Sequence, residues 1–266
     1  MGVVYEKMKE METIAAIILF TLLGVAVGTV GALLGIGGGL LIIPFFLLVF
    51  HFSPQQTVGT ATVIVFLNAI SGTVAYLRDR KVYLKAAVWF GVATIPGAFF
   101  CSYAASFFTG QSFSLLFGSF LLVMAAMLYW QSCRRRVEVE FNPDTFHCPM
   151  KLGVICSVGV GVMSSALGIG GGIIHVPFMA YILKFPIHAA IATSTVILAI
   201  SAVSGAISHA ILGHVLWTPA ICSGIGAVLG AQIGARVAGK TKPQLLTKGL
   251  AMLVFVMAIK FIMNGL

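Results

Sequence analysis

Apolar residues run along this chain in long blocks, without the amphipathic stripes or strict alternation of a water-soluble domain. The blocks cover about 13 to 50, 59 to 77, 84 to 106 and 113 to 131, then about 152 to 184, 190 to 208, 215 to 238 and 245 to 264. Each is 18 residues or longer and nearly free of charge, the pattern of membrane-spanning helices. None alternates apolar with polar positions, which excludes an outer-membrane barrel. The first block lacks an A-x-A cleavage site, so it reads as a retained span and not a signal peptide.

The second set of four blocks repeats the first. A shift of 133 carries "LLGIGGGLLIIPF" (33–45) onto "ALGIGGGIIHVPF" (166–178), and from Leu34 to Gly72 it gives 16 identities in 39 positions. The predicted organisation is a first transmembrane repeat over 1–131, a cytoplasmic linker over 132–151 and a second repeat over 152–266, one integral membrane domain overall.

The first block of each copy is too long for one crossing. More than thirty helical residues at 1.5 Å each overshoot a hydrocarbon core of about 30 Å. Glycine is the residue at which a helix breaks most easily. The expectation is a Gly-broken helical hairpin in each copy, followed by three transmembrane helices.

Charge supports the hairpin. If each first block returns to the side it entered from, 13 of the 16 Lys and Arg face the cytoplasm; if it crosses once, 11 do. The hairpin also turns the two copies opposite ways, because the basic "RDRKVYLK" (78–85) then corresponds to the uncharged "ILGHVLWT" (211–218) on the other side. The predicted fold is therefore all-α and polytopic, built as two inverted repeats with both termini outside, an architecture typical of secondary transporters.

Composition narrows the class further. Of 266 residues 59% are hydrophobic and 9% charged, and the mean hydropathy is +1.07; soluble domains carry about a quarter charged residues. The net charge of +9 does not indicate a nucleic-acid partner, since the cations sit in short loops where topology and lipid head groups account for them. The five cysteines show no C-x-x-C spacing and read as reduced and structural. No cofactor and no metal are expected.

These residues resemble the TauE/SafE sulfite exporter family, also called the 4-toluenesulfonate uptake permease family. The likeness lies in the doubled L-G-I-G-G-G-x-x-x-x-P-F motif, the T-x-T pairs Thr60/Thr62 and Thr193/Thr195, the S-G at Ser71 and Ser204, and "GAVLGAQIGARVAGK" (226–240). It implies a permease in a bacterial or archaeal inner membrane, taking sulfur-containing anions such as sulfite or sulfonates. The resemblance fixes neither the substrate nor the direction of transport.

The chemistry of the residues agrees with an anionic substrate. A helix start carries unpaired N–H groups and about half a positive charge, so a helix broken at mid-membrane can hold an oxyanion without a buried arginine. The candidate cradle is Gly37, Gly38, Gly39 and Leu40 with Gly170, Gly171, Gly172 and Ile173; the alternative is close helix packing. Thr60, Thr62, Thr193 and Thr195 offer hydroxyls as ligands or as helix caps, and Asn68 lies further along the same helix. His175 replaces Ile42 of the first copy and is either a substrate or proton group or a neutral, hydrogen-bonded side chain. His51, His188, His209 and His214 read as surface residues.

All seven carboxylates fall in loops or at block edges, so a buried acidic relay is excluded. The expected partners are a small anionic substrate and the lipid bilayer, in an unspecified oligomeric state. An anion channel of the same fold is the main alternative. An intramembrane enzyme would have to draw on Ser164, Ser165 and His209, with no buried acid.

Overall fold

The computed structural model describes residues 13–79, 81–104, 110–133, 148–238 and 243–265. Most of the expected linker and the basic segment 239–242 lie outside them. Among the described residues every element is helical. The first copy contains α1 (Thr13–Leu34), α2 (Gly39–Leu48), α3 (Pro54–Arg78), α4 (Leu84–Ala104) and α5 (Gly110–Cys133). The second contains α6 (Met150–Leu167), α7 (Gly172–Pro177, continued by a π turn at Phe178–Ile182), α8 (Ile187–Ile211), α9 (Trp217–Ala238) and α10 (Pro243–Gly265). Six of these helices are long and apolar enough to cross a membrane.

Each long first block breaks at its glycines. In the first copy Gly35, Gly37 and Gly38 take φ of 71°, 75° and 83°, and in the second Gly168, Gly170 and Gly171 take 67°, 81° and 75°. These left-handed values cost an L side chain about 1–2 kcal/mol each, which is why the turn is written in glycine. The chain then doubles back: Gly38 lies against Val27, two turns before the end of α1. Nearer the start of α1, Phe20 meets Phe46 at a 6.2 Å centroid distance and Phe50 at 4.8 Å. The expected hairpin is thus present, with a 22-residue outward limb and a 10-residue return limb.

The two copies interlock. The first helix of each packs along the third spanning helix of the other, α1 on α9 and α6 on α4, and α3 packs on α8. Small residues permit these approaches. Gly24 lies on Ser223, Gly28 on Ala227 and Gly234 on Thr29, backbone against backbone, so α1 and α9 run parallel. Along α4 and α6, Gly153 meets Phe90, Gly161 meets Thr94 and Gly97 meets Val162, again in parallel.

The central pair runs the other way. Gly72 near the end of α3 meets Thr195 near the start of α8, whereas Gly205 near the end of α8 meets Thr62 near the start of α3. α3 and α8 are repeat-equivalent helices, and they are antiparallel. α5 and α10 pair with each other, where Phe113 stacks on Phe117 and Phe117 meets Phe261 edge-on.

Candidate functional site

The two glycine turns meet at the centre of the bundle. A β-carbon placed on Gly37 or on Gly170 would strike the same two side chains, Val65 and Leu198. Val65 is the twelfth residue of the 25-residue α3, and Leu198 is the twelfth of the 25-residue α8. Both tips therefore reach the midpoints of the two central helices. The turns also back onto each other, with Gly39 against Gly168 and Ile169, and Gly172 against Gly35 and Ile36.

Backbone hydrogen bonding takes the Gly37 N–H of the predicted cradle, which donates to the Gly31 carbonyl at 3.2 Å, and leaves later donors open. Leu41 and Ile42 N–H bond back to the Gly38 carbonyl, and Ile174 and His175 N–H to that of Gly171. The N–H groups of Gly39 and Leu40, and of Gly172 and Ile173, come too early to find an acceptor inside their own helices. Leu40 and Ile173 are fully buried.

Asn68 lies one turn beyond Val65. It is 1% exposed, and its Oδ1 is buried without a hydrogen-bond partner. An orphaned amide end costs about 1–3 kcal/mol. Rotation about χ2 exchanges its oxygen for an NH2 donor, so the position offers either polarity. Ser201, its repeat equivalent, is also buried.

The threonines are engaged elsewhere. Thr60 Oγ1 accepts the Leu216 N–H at 3.0 Å, and Thr193 Oγ1 accepts the Tyr83 N–H at 3.0 Å. Each thus caps the entrance to the other copy's third spanning helix. Thr62 and Thr195 donate to the carbonyls four residues back, Val58 at 2.7 Å and Ile191 at 2.9 Å. All four hydroxyls bind backbone; Thr62 and Thr195 lie one turn before Val65 and Leu198, and Ser194, between Thr193 and Thr195, donates its Oγ–H to the Gly35 carbonyl at 3.1 Å.

His175 is 1% exposed in the first turn after the second break. Its Nδ1 lies 3.2 Å from the Gly171 carbonyl and its Nε2 3.2 Å from Ser157 Oγ. A carbonyl only accepts, so in the neutral ring Nδ1 carries the proton and Nε2 accepts. Ser157 Oγ is also 2.7 Å from the Gly153 carbonyl, so its one proton is contested.

Two readings need correction. His209, expected at the surface, is fully buried, because α8 extends past the apolar block that ended at 208 and carries it under the turn. The sequence reading also passed over Val65 and Leu198. They are related by the 133-residue shift, but two aliphatic residues carry no chemical signal.

The arrangement is that of a multi-pass α-helical membrane transporter with two broken helices meeting at its centre. The family model for the sulfite exporters TauE/SafE matches residues 20–261, and the chain belongs to that family. It is 28% identical over 268 residues to the probable membrane transporter protein YunE of Bacillus subtilis, covering 94% of this chain and 98% of that one. A probable membrane transporter protein of Methanocaldococcus jannaschii is 25% identical, covering 94% and 97%. One of Xylella fastidiosa is 28% identical over 250 residues, covering 93% and 95%. No solved structure matches.

Proposed function

We propose that this chain is a secondary carrier for sulfur-containing anions such as sulfite or sulfonates, working by alternating access between two inverted repeats. The observation that carries the reading is the meeting of both glycine turns on one Val65–Leu198 pair. Two helix starts with open N–H groups then face one point, where their partial positive charges add. Asn68 supplies a side-chain donor at the same level, and the aliphatic pair excludes water from behind the anion.

Inversion is supported by the antiparallel run of α3 and α8. A two-fold axis lying in the membrane plane relates helices in that way, and it exchanges the α1–α9 contact with the α6–α4 contact. Rocking one copy against the other would then open the central point to each side in turn. In this reading residues 78–85 and the linker face the cytoplasm, while 209–216 and both termini face outward. His175 is the polar group nearest the second break and the residue through which a proton would act.

The test is counterflow of labelled sulfite in proteoliposomes, competed by sulfonates, sulfate and chloride. Saturable exchange inhibited by sulfonates, with a half-saturation raised about tenfold in Asn68→Ala (about 1.4 kcal/mol), is the expected result. Absence of exchange of any sulfur anion under every gradient would overturn the substrate assignment. Flux without counterflow would point to a channel instead.

A further inference from the structure

At the end of α8 the second copy carries two imidazoles where the first carries a phenol and an ammonium. The shift of 133 relates His209 to Tyr76, His214 to Lys81 and Ser165 to Ala32. In the first copy Tyr76 Oη donates to the Ala32 carbonyl at 2.8 Å, tying the end of α3 to the end of α1. In the second copy buried His209 lies against the equivalent carbonyl, that of Ser165, and its Nε2 has no hydrogen-bond partner.

The other edge of His209 meets a second ring. Its Nδ1 is 3.1 Å from His214 Nδ1, with ring centroids 5.4 Å apart. His214 sits partly exposed in the turn before α9, packed on Gly59 of α3. Two residues on, Leu216 donates its N–H to Thr60.

An N···N contact of this length holds one proton. With His209 Nε2 protonated toward the Ser165 carbonyl, its Nδ1 accepts and His214 Nδ1 donates. The unprotonated nitrogen of the pair is then Nε2 of His214, on the ring that solvent reaches. One further proton there makes His214 an imidazolium and keeps the Nδ1–H···Nδ1 bond, now charge-assisted. A second proton would set two donors and two like charges face to face.

Among the described residues the surroundings add no competing charge. His214 is the titratable group that acts on His209, and burial alone acts on His214. Gly59 and Thr60 of α3, Ser165 of α6 and Leu216 before α9 face the pair with uncharged groups.

We infer that His209 and His214 form a one-proton binding site that makes this end of the bundle cationic on acidification, where the first copy carries the fixed ammonium of Lys81. Lys81 is itself accompanied by Asp79 at 3.6 Å, so the opposite end is partly compensated at all times. The site stands on the two rings alone; its effect on anion entry rests on the carrier reading above.

Nitrogen NMR of histidine-labelled protein in nanodiscs over about pH 5 to 8 reads proton occupancy without any transport. The expected result is one protonation step on His214, relayed to the His209 Nδ1 resonance, with a His214 midpoint that moves in His209→Gln. Independent titration of the two rings, or an unmoved midpoint, would overturn the site. Because His209 is buried, His214→Lys provides a surface variant that restores the side chain of the first copy. Exchange of labelled ethanesulfonate, whose own charge is constant over this range, is expected to rise about tenfold on acidification in the wild type and to stay flat in His214→Lys. A pH slope surviving in His214→Lys overturns the inference. A coupled NMR titration with no exchange in any variant supports the proton site and sinks the carrier reading.

Discussion

The two copies share a scaffold and differ in chemistry. Repeat-equivalent backbone contacts recur: Ile36 N–H bonds to Gly31 and Ile169 N–H to Ser164, while Thr60 and Thr193 cap each other's copies. Around these fixed points the side chains diverge. The return limb of the first copy is a 10-residue helix whose Phe46 packs against Phe20, Phe50 and Phe52. That of the second is six α-helical residues passing into a π turn after Pro177, with His175 in place of Ile42. A fold of two interlocked copies needs equal backbones at the crossing points, whereas under the proposed inversion each copy would face a different side of the membrane. The imidazoles of His175, His209 and His214 sit where the first copy has the aliphatic Ile42, the phenolic Tyr76 and the ammonium of Lys81.

The largest test of the shared scaffold is at the left-handed glycines. Gly38→Ala meets both the strained φ of 83° and the Val27 backbone, and is expected to lose about 3 kcal/mol or more together with all saturable exchange. Gly171→Ala meets Val160 and Ser164 side chains at 3.1–3.2 Å, which yield more easily, so its loss should be smaller. Thermal unfolding in detergent orders the two, and equal losses would mean that the tips are not held as described.

Next come the caps. Thr60→Val and Thr193→Val each leave one buried N–H unpaired and should each cost about 1–3 kcal/mol, by equal amounts. A large inequality in their Tm shifts would break the symmetry between the copies.

His175→Ile sharpens the difference, since it installs the residue of the first copy. It removes both imidazole contacts and leaves Ser157 bonded to Gly153, so stability is expected to change by no more than about 1 kcal/mol. Loss of stimulation by an imposed proton gradient, with the slope at equal pH on both sides kept, would assign the coupling step to this ring; unchanged stimulation would remove it from the mechanism.

The smallest effect is at His214, where burial holds the imidazole below its ordinary value of 6.5. The unfolded chain then binds the extra proton more readily than the folded one. Stability from this group is fully present above about pH 6.5 and falls as the pH drops toward the lowered value. A small decrease in Tm on acidification, absent in His214→Gln, is the expected reading.

Much of this architecture was legible along the chain. Block lengths exceeded one crossing, the 133-residue shift paired the copies, and the glycine run marked the break, because each depends on local composition and backbone freedom. The threonines show where such reading stops. Their T-x-T spacing suggested ligands or helix caps, and only the fold supplies the Leu216 and Tyr83 N–H groups, more than a hundred residues away in sequence, that Thr60 and Thr193 accept. Asn68 was visible as a polar residue in an apolar helix, but its lack of a partner depends on what packs around it.

Hydropathy, repetition and glycine act residue by residue, and they suffice to make the chain a duplicated membrane protein with two broken helices. That both breaks meet on Val65 and Leu198, and that His209 lies buried beside His214, emerges from the packing. Those outcomes depend on which small-residue faces approach each other across the two copies, and such long-range packing leaves no periodic trace in either copy alone.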